Sequence, residues 1–204
     1  ALSKFNAFDT KISSSSVTLF LAHQYVPAPH TIYEKAYKLP PGHTLKCDRN
    51  GNIETNKYYS FTPCPLSTTN RSLDDYTDEL EELLINSIEK RMLADVPVGT
   101  FLSGGIDSSL ISALISKKLG VTINTFSIGF SNFTESEHVK ASLISKDIKS
   151  KHNELILDSY DKTKFKLIYE MLDEPNGDSS IYPTWAVSNF AVNKVKVAIS
   201  GDGA

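Results

Sequence analysis

The passage from residue 95 to residue 120 constrains this chain most. An apolar run, Asp95-Val96-Pro97-Val98-Gly99-Thr100-Phe101-Leu102, enters Ser103-Gly104-Gly105-Ile106-Asp107-Ser108-Ser109 without a break. Leu110, Ile111, Leu114, Ile115 and Leu119 then recur at helical spacing, and Gly120 closes the segment. A short apolar run bounded by turn residues reads as a buried strand, and the spacing after it reads as an amphipathic helix ended by a glycine cap. Such a unit needs a parallel partner strand on the far side of its helix. The pattern continues downstream: a strand over 121–130, and a helix over 135–148 with Val139, Leu143 and Ile144 inward. A short strand at 155–157, helices over 160–172 and 181–193 and a last strand over 195–200 follow. The expected fold class is α/β, a parallel sheet with helices on both faces.

Upstream the texture differs. Residues 17–24 read as one short helix, stopped by Val26-Pro27-Ala28-Pro29, with a second breaker at Leu39-Pro40-Pro41-Gly42. Residues 44–47 and 53–58 flank Asp48-Arg49-Asn50-Gly51-Asn52, a strong hairpin signal, so a small β-hairpin precedes the sheet. Residues 60–71 are rich in Pro, Ser, Thr and Asn and read as a linker. Ser72 with Asp75 three residues on suggests a capped helix start, followed by Leu73, Tyr76, Leu80, Leu83, Leu84 and Ile88. Two parts are expected, 1–66 and 67–204.

Composition removes several classes of function. The 204 residues carry 21 Lys and Arg against 24 Asp and Glu, a net charge of −3, which leaves no strong field for nucleic acid or acidic lipid. Cys47 and Cys64 form no CxxC, and the five histidines form no HxxxH or HExxH, so disulfide scaffolds and histidine metal sites are not indicated. No apolar run approaches a membrane span or a signal-peptide core. No nucleic-acid partner, no membrane and a cytoplasmic-type compartment are the expectations.

Ligands of open α/β sheets bind beyond the carboxyl ends of the strands. There the turn after Leu102 offers Gly104 and Gly105, which let backbone approach a ligand closely, then a helix N-terminus with free N–H groups. Ser103, Ser108 and Ser109 add hydroxyls, so the segment reads as an anion cradle sized for phosphates. Asp107 would oppose a phosphate unless Mg²⁺ lay between them. There is no GxxxxGK[ST], so this is not the usual NTPase P-loop. The plainer alternative is that Ser103 or Asp107 only caps a helix. Leu102 and Ser200 both precede glycine-containing turns and are expected at the ends of neighbouring strands. Asp173 and Glu174 read either as an acid–base pair or as solvated helix-end charges. Asp178, Ser179 and Ser180 read either as substrate-facing groups or as a helix cap.

The string Ser-Gly-Gly-Ile-Asp-Ser-Ser after an apolar strand resembles the pyrophosphate-binding loop of the N-type ATP pyrophosphatases. Further motifs, in order, are similar to glutamine-hydrolysing asparagine synthetases and their close amidotransferase relatives. They are Tyr25-Val26-Pro27-Ala28-Pro29-His30-Thr31-Ile32-Tyr33, Lys38-Leu39-Pro40-Pro41-Gly42-His43 and Phe126-Ser127-Ile128-Gly129-Phe130 followed by Glu137 and Ala141. Asp173-Glu174-Pro175-Asn176-Gly177-Asp178-Ser179-Ser180 with Pro183-Thr184, and Val197-Ala198-Ile199-Ser200-Gly201-Asp202-Gly203, complete the set. The resemblance implies an adenine nucleotide alpha hydrolase-like fold in 67–204 and the end of a glutaminase domain in 1–66.

It also implies a ligase that activates a carboxylate, normally that of aspartate, as an acyl-adenylate. Pyrophosphate is released, and ammonia drawn from glutamine then displaces AMP. ATP and Mg²⁺ would be the cofactors. Ser103 to Ser109 would hold pyrophosphate, Asp107 would ligate Mg²⁺, Leu102 and Ile128 would face the adenosine, and Ser200 and Gly201 would close the nucleotide site. Asp202 stands where the family commonly has a glutamate linked to adenylate formation. The Asp-Gly form looks more like relatives that act on other carboxylates or close lactams. The family's glutaminase nucleophile is an N-terminal cysteine, where this chain has Ala1, and its second Mg²⁺ carboxylate and a lysine would fall beyond Ala204. The expectation is a fragment of a homodimeric parent, itself inactive and at most a weak nucleotide binder.

Overall fold

A computed structural model describes residues 2–62, 71–131 and 137–202. They form two compact units, one from residues 1–68 and 163–179, the other from 69–162 and 180–204. The linker expected over 60–71 and Cys64 lie largely or wholly outside the described residues.

In the first unit, α1 (Ser14–His23) begins at Ser13, whose hydroxyl accepts from Ser16 N, and ends at Gln24 in the left-handed conformation. Strands β1 (His43–Cys47) and β2 (Ile53–Lys57) pair antiparallel, Cys47 opposite Ile53. The Asn50-Gly51 signal lies inside a five-residue loop rather than forming a two-residue turn. Asp48 organises it, accepting from Asn50 N at 2.8 Å, Asn52 N at 2.9 Å and Asn52 Nδ2 at 2.7 Å. These donors hold the Asp48 carboxyl below its ordinary range, the Asn52 side chain first among them. The segment after α5 (Lys162–Met171) is tied into this unit by Glu174. Its carboxylate accepts from Ile32 N at 2.9 Å and pairs with Lys38 Nζ at 2.5 Å, and Lys38 also donates to Val26 O. Glu174 thus clamps this segment to the unit, a structural role that neither reading of its charge included.

The second unit carries the sheet. Strands β3 (Val98–Phe101), β4 (Asn124–Phe130), β5 (Lys151–Leu157) and β6 (Val197–Ile199) lie in the order β5-β4-β3-β6, all parallel. The register sets Thr100 beside Thr125 and Phe101 beside Phe126, so the two faces are distinct. Thr100 faces α3 (Ile106–Ala113), meeting Ser112 Oγ at 2.9 Å. Phe101 and Phe126 face α6 (Ile181–Ala191) in a cluster with Val187, Ala191 and Val195. Helices thus cover both faces.

The α3 side is closed by α2 (Leu73–Met92), whose capping box is complete: Ser72 Oγ accepts from Asp75 N, and Asp75 accepts from Ser72 N. Only the second half of α2 is buried. Leu84, Ile85, Ile88 and Met92 pack with Ile111, Leu114, Ile115 and Ile123. Leu73, Tyr76, Leu80 and Leu83 stay exposed. α3 runs on into a π-helical turn over Leu114–Lys118 before Gly120, at φ +68°, ends it.

In α4 (Glu137–Asp147) the buried residues are Ala141 and Ser145, followed by Ile148. Val139 and Leu143, expected inward, are exposed. Backbone proximity explains this: α4 lies so close to the β3–α3 turn that only small side chains fit between them. β5 is longer than its apolar Leu155–Leu157 end suggests, because its polar half matches polar groups on β4. His152 Nδ1 lies 2.9 Å from Thr125 Oγ1 and Nε2 3.2 Å from Ser127 Oγ, and the buried Asn153 amide donates to Thr125 O at 3.2 Å. No helix among the described residues is long and apolar enough to cross a membrane.

Candidate functional site

In this strand order the connections from β3 run outward through β4 to β5, whereas β6 returns on the other side of β3. The gap between β3 and β6 is a topological switch point, and a crevice opens beyond the strand ends there. A cleft of about 400 Å³ occupies it, floored by Phe101, Leu102 and Phe126 and rimmed by the two glycine turns.

Gly99 admits the Phe126 ring beneath the site; a Cβ there would lie 2.8 Å from Phe126 Cε2. Leu102, fully buried, donates its N–H to Phe126 O and hands the chain to the turn. Gly104 has φ +85°, and a Cβ on it would meet Glu137 O at 2.9 Å and Ala141 N at 3.0 Å, so the turn is seated against the start of α4. The serines hold the turn in shape. Ser108 Oγ accepts from Ser103 N and lies 3.0 Å from Ser103 Oγ, Ser103 Oγ accepts from Gly105 N, and Ser109 donates to Gly105 O at 2.5 Å. Ser112 donates to Ser108 O at 2.8 Å, which anchors this turn of α3 to Thr100.

The N-cap of α3 is Gly105, with no side-chain cap. The N–H groups of Ile106, Asp107 and Ser108 have no acceptor one turn earlier within the helix. Neither Ser103 nor Asp107 caps the helix, so its N-terminus is left bare, the kind of end that attracts an anion. The hydroxyls expected to bind phosphate are spent on the loop itself; backbone N–H groups are the donors that remain.

Across the cleft, Gly201 brings β6's turn against that helix end. A Cβ at 201 would stand 2.7 Å from Ser108 N and 3.0 Å from Asp107 Cβ. Ser200 Oγ donates to Asp202 Oδ2 at 3.1 Å and accepts from Asp202 N. Of the residues expected at the site, Leu102, Ser103, Gly105, Asp107, Ser108, Ile128, Ser200, Gly201 and Asp202 line this one cleft. Gly104 and Ser109 stand behind it and shape the loop. Ser180 occupies the N-cap position of α6 without a side-chain cap bond.

The far wall was given no site role in the sequence, although Glu137, Pro183 and Thr184 belong to its motifs. Pro183, Thr184 and Val187 of α6, and Glu137 of α4, face the same space. Pro183 in the first turn of a helix was the available signal, since proline is tolerated only there. Among the described residues no group of three or more His, Cys, Asp or Glu side chains could hold a metal. A cation here would rest on Asp107 together with the ligand's own oxygens.

Comparison with known proteins identifies the family. A sequence profile described as asparagine synthase matches residues 79–204, and one described as a glutamine amidotransferase domain matches residues 1–59. The chain belongs to the asparagine synthase family. A putative asparagine synthetase (glutamine-hydrolyzing) 2 of Methanocaldococcus jannaschii is 33% identical over 198 residues, covering 94% of this chain and 37% of that protein. Asparagine synthetase (glutamine-hydrolyzing) 1 of Bacillus subtilis is 30% identical over 198 residues, covering 96% and 30%. The chain thus spans about a third of the length of these relatives. A solved NH3-dependent NAD synthetase from Campylobacter jejuni superposes with a TM-score of 0.42 at 14% identity, over 59% of this chain and 54% of that one.

Proposed function

We propose that the protein carrying this chain is an ATP-dependent, amide-forming ligase of the asparagine synthetase type. Residues 1–66 would belong to its glutaminase-like part and 67–204 to its ATP-binding part. The observation that carries the reading is the uncapped N-terminus of α3 at the switch point, with Gly201 closing on it and the Asp107 carboxylate open beside it. That arrangement suits a polyphosphate bound with a divalent cation.

In this reading the β- and γ-phosphates lie against the N–H groups of residues 106–108, and Leu102 and Ile128 face the adenosine. Ser200 and Gly201 close the site on the β6 side. Asp107 is the side chain that would hold Mg²⁺, an ion that commonly keeps one or two protein carboxylates and fills its shell with phosphate oxygens and water. Bound there, Mg²⁺ would neutralise charge on the phosphate oxygens. The acceptor carboxylate displaces pyrophosphate from the α-phosphorus. Ammonia from glutamine then attacks the acyl carbon, and AMP departs. The fixed N–H groups receive the charge that builds on the departing pyrophosphate without reorganising. Asp202, bonded by the Ser200 hydroxyl, faces the cleft where the acceptor would be oriented. Its short side chain favours a second choice of acceptor, a carboxylate other than free aspartate.

Products from α-labelled ATP, with Mg²⁺, aspartate and ammonia, test the proposal. Label in AMP, lost in an Asp107→Asn variant, is expected; label in ADP alone would reject it.

A further inference from the structure

Glu137 is the acidic residue in the first turn of α4, and it lines the cleft beside the phosphate turn. Its backbone is fixed there, since Gly104 leaves no room for a Cβ against Glu137 O. Among the described residues, its carboxylate has no hydrogen-bond or ion-pair partner. Glu137 is exposed, and a carboxylate beside an anion cradle repels phosphate, so the part of a ligand it suits is a neutral hydroxylic group or a cation rather than the phosphates. Asp107, at the bare helix end itself, is already placed for the cation.

Topology supplies the rest. The phosphate turn follows β3, and Glu137 follows β4, the strand paired beside β3 on the side away from β6. In dinucleotide-binding sheets of the Rossmann type, an acid following the strand beside the phosphate turn bonds the ribose, and Glu137 follows the corresponding strand here. A ribose diol presents two O–H donors to one carboxylate, and hydrogen bonds to an ionised acceptor are about twice as strong as neutral ones.

We infer that Glu137 accepts from the 2′- and 3′-hydroxyls of the bound nucleotide and makes the cleft selective for ribonucleotides. This rests on the reading of the cleft as a nucleotide site. A purely structural role for the acid, complementing the α4 dipole, would change stability without changing hydroxyl preference.

Calorimetric titration of the full-length protein that carries this chain, with ATP, 2′-deoxy-ATP and 3′-deoxy-ATP in Mg²⁺, separates these cases. The wild type should prefer ATP over each deoxy analogue by about tenfold, the scale of one hydrogen bond to a charged group. Glu137→Ala, which loses both bonds, should bind all three alike, below the wild-type affinity for either analogue. Glu137→Gln, of the same shape, serves as the folding control and should keep part of the preference. Equal affinity of the wild type for ATP and both analogues overturns the inference, as does an equal loss for all three in Glu137→Ala. Failure of the wild type to bind any of them overturns the nucleotide reading as well.

Discussion

Gly201→Ala probes whether the β6 turn must touch the N-terminus of α3. The added Cβ would stand 2.7 Å from Ser108 N, 3.0 Å from Asp107 Cβ and 3.1 Å from Asp107 C. Non-bonded heavy atoms are at ease near about 3.5 Å, so turn and helix must part by about 0.8 Å. No rotamer change provides that gap. Two of the three atoms are backbone, and this turn of α3 is held to β3 through Ser112, Ser108 O and Thr100. Overpacking of this kind costs about 1–3 kcal/mol, which moves a urea midpoint by roughly 1 M. The displaced atoms include a phosphate donor, and misplacement by about 1 Å can cost about a hundredfold in rate. Gly201→Ala should therefore fold with a lowered midpoint and lose about tenfold or more in ATP affinity. Gly120→Ala is the control. Nothing lies within 4 Å of its Cβ position, and φ is +68°. It should cost about 1–2 kcal/mol of left-handed strain and leave ATP affinity alone. Wild-type midpoint and affinity in Gly201→Ala, or the same affinity loss in Gly120→Ala, would refute the close approach as the reason for this glycine.

Other perturbations test other parts of the chain. Ser72→Ala removes the acceptor for Asp75 N and a donor to the Asp75 carboxylate, and should lower stability by about 1 kcal/mol in urea unfolding. Glu174→Gln leaves the half-buried Lys38 ammonium without its counter-charge and should cost about 1–2 kcal/mol, between the exposed and the buried limits for ion pairs; an unchanged midpoint would remove the clamp from the account. Burial pushes the His152 imidazole below its ordinary value, with Glu154 pulling the other way. The unfolded chain thus takes up this proton first as pH falls, and stability declines from about pH 6.5 downward. His152→Gln should flatten that decline between pH 7.5 and 5.5 relative to the wild type, and parallel midpoint curves would count against the burial effect.

Strand-and-helix alternation was legible because each βα step has its own periodicity, and the pairing of β3 with both β4 and β6 follows from buried apolar runs. Faces were less legible than elements. Leu80 and Leu83 keep helical spacing yet are exposed, since spacing along one helix does not say what packs opposite it. Val139 and Leu143 lose the inward positions to Ala141 and Ser145, because closeness to the Gly104 turn selects for small residues over apolar ones. The polar half of β5 was missed outright: Lys151-His152-Asn153-Glu154 has no strand signature until the hydroxyls of Thr125 and Ser127 are known to lie opposite.

The site divides along the same line. Its β3 and β6 edges were readable because glycine carries positional meaning: Gly104 needs a positive φ and Gly201 a missing Cβ, and both needs appear in sequence as glycines after apolar strands. The α6 wall carries a weaker marker: Pro183 signals only a helix start, and Thr184 and Val187 look like residues of any helix until the fold aims them at the cleft. The serines carry a further lesson about donors. Ser103, Ser108 and Ser109 look like phosphate ligands, yet their hydroxyls bond within the turn, so losing one should act through loop geometry. Loop geometry in turn fixes where the bare α3 terminus points. On the proposed reading, affinity for phosphate rests on backbone groups that no substitution removes directly, and side-chain changes reach it only by moving the backbone, as Gly201→Ala is expected to do.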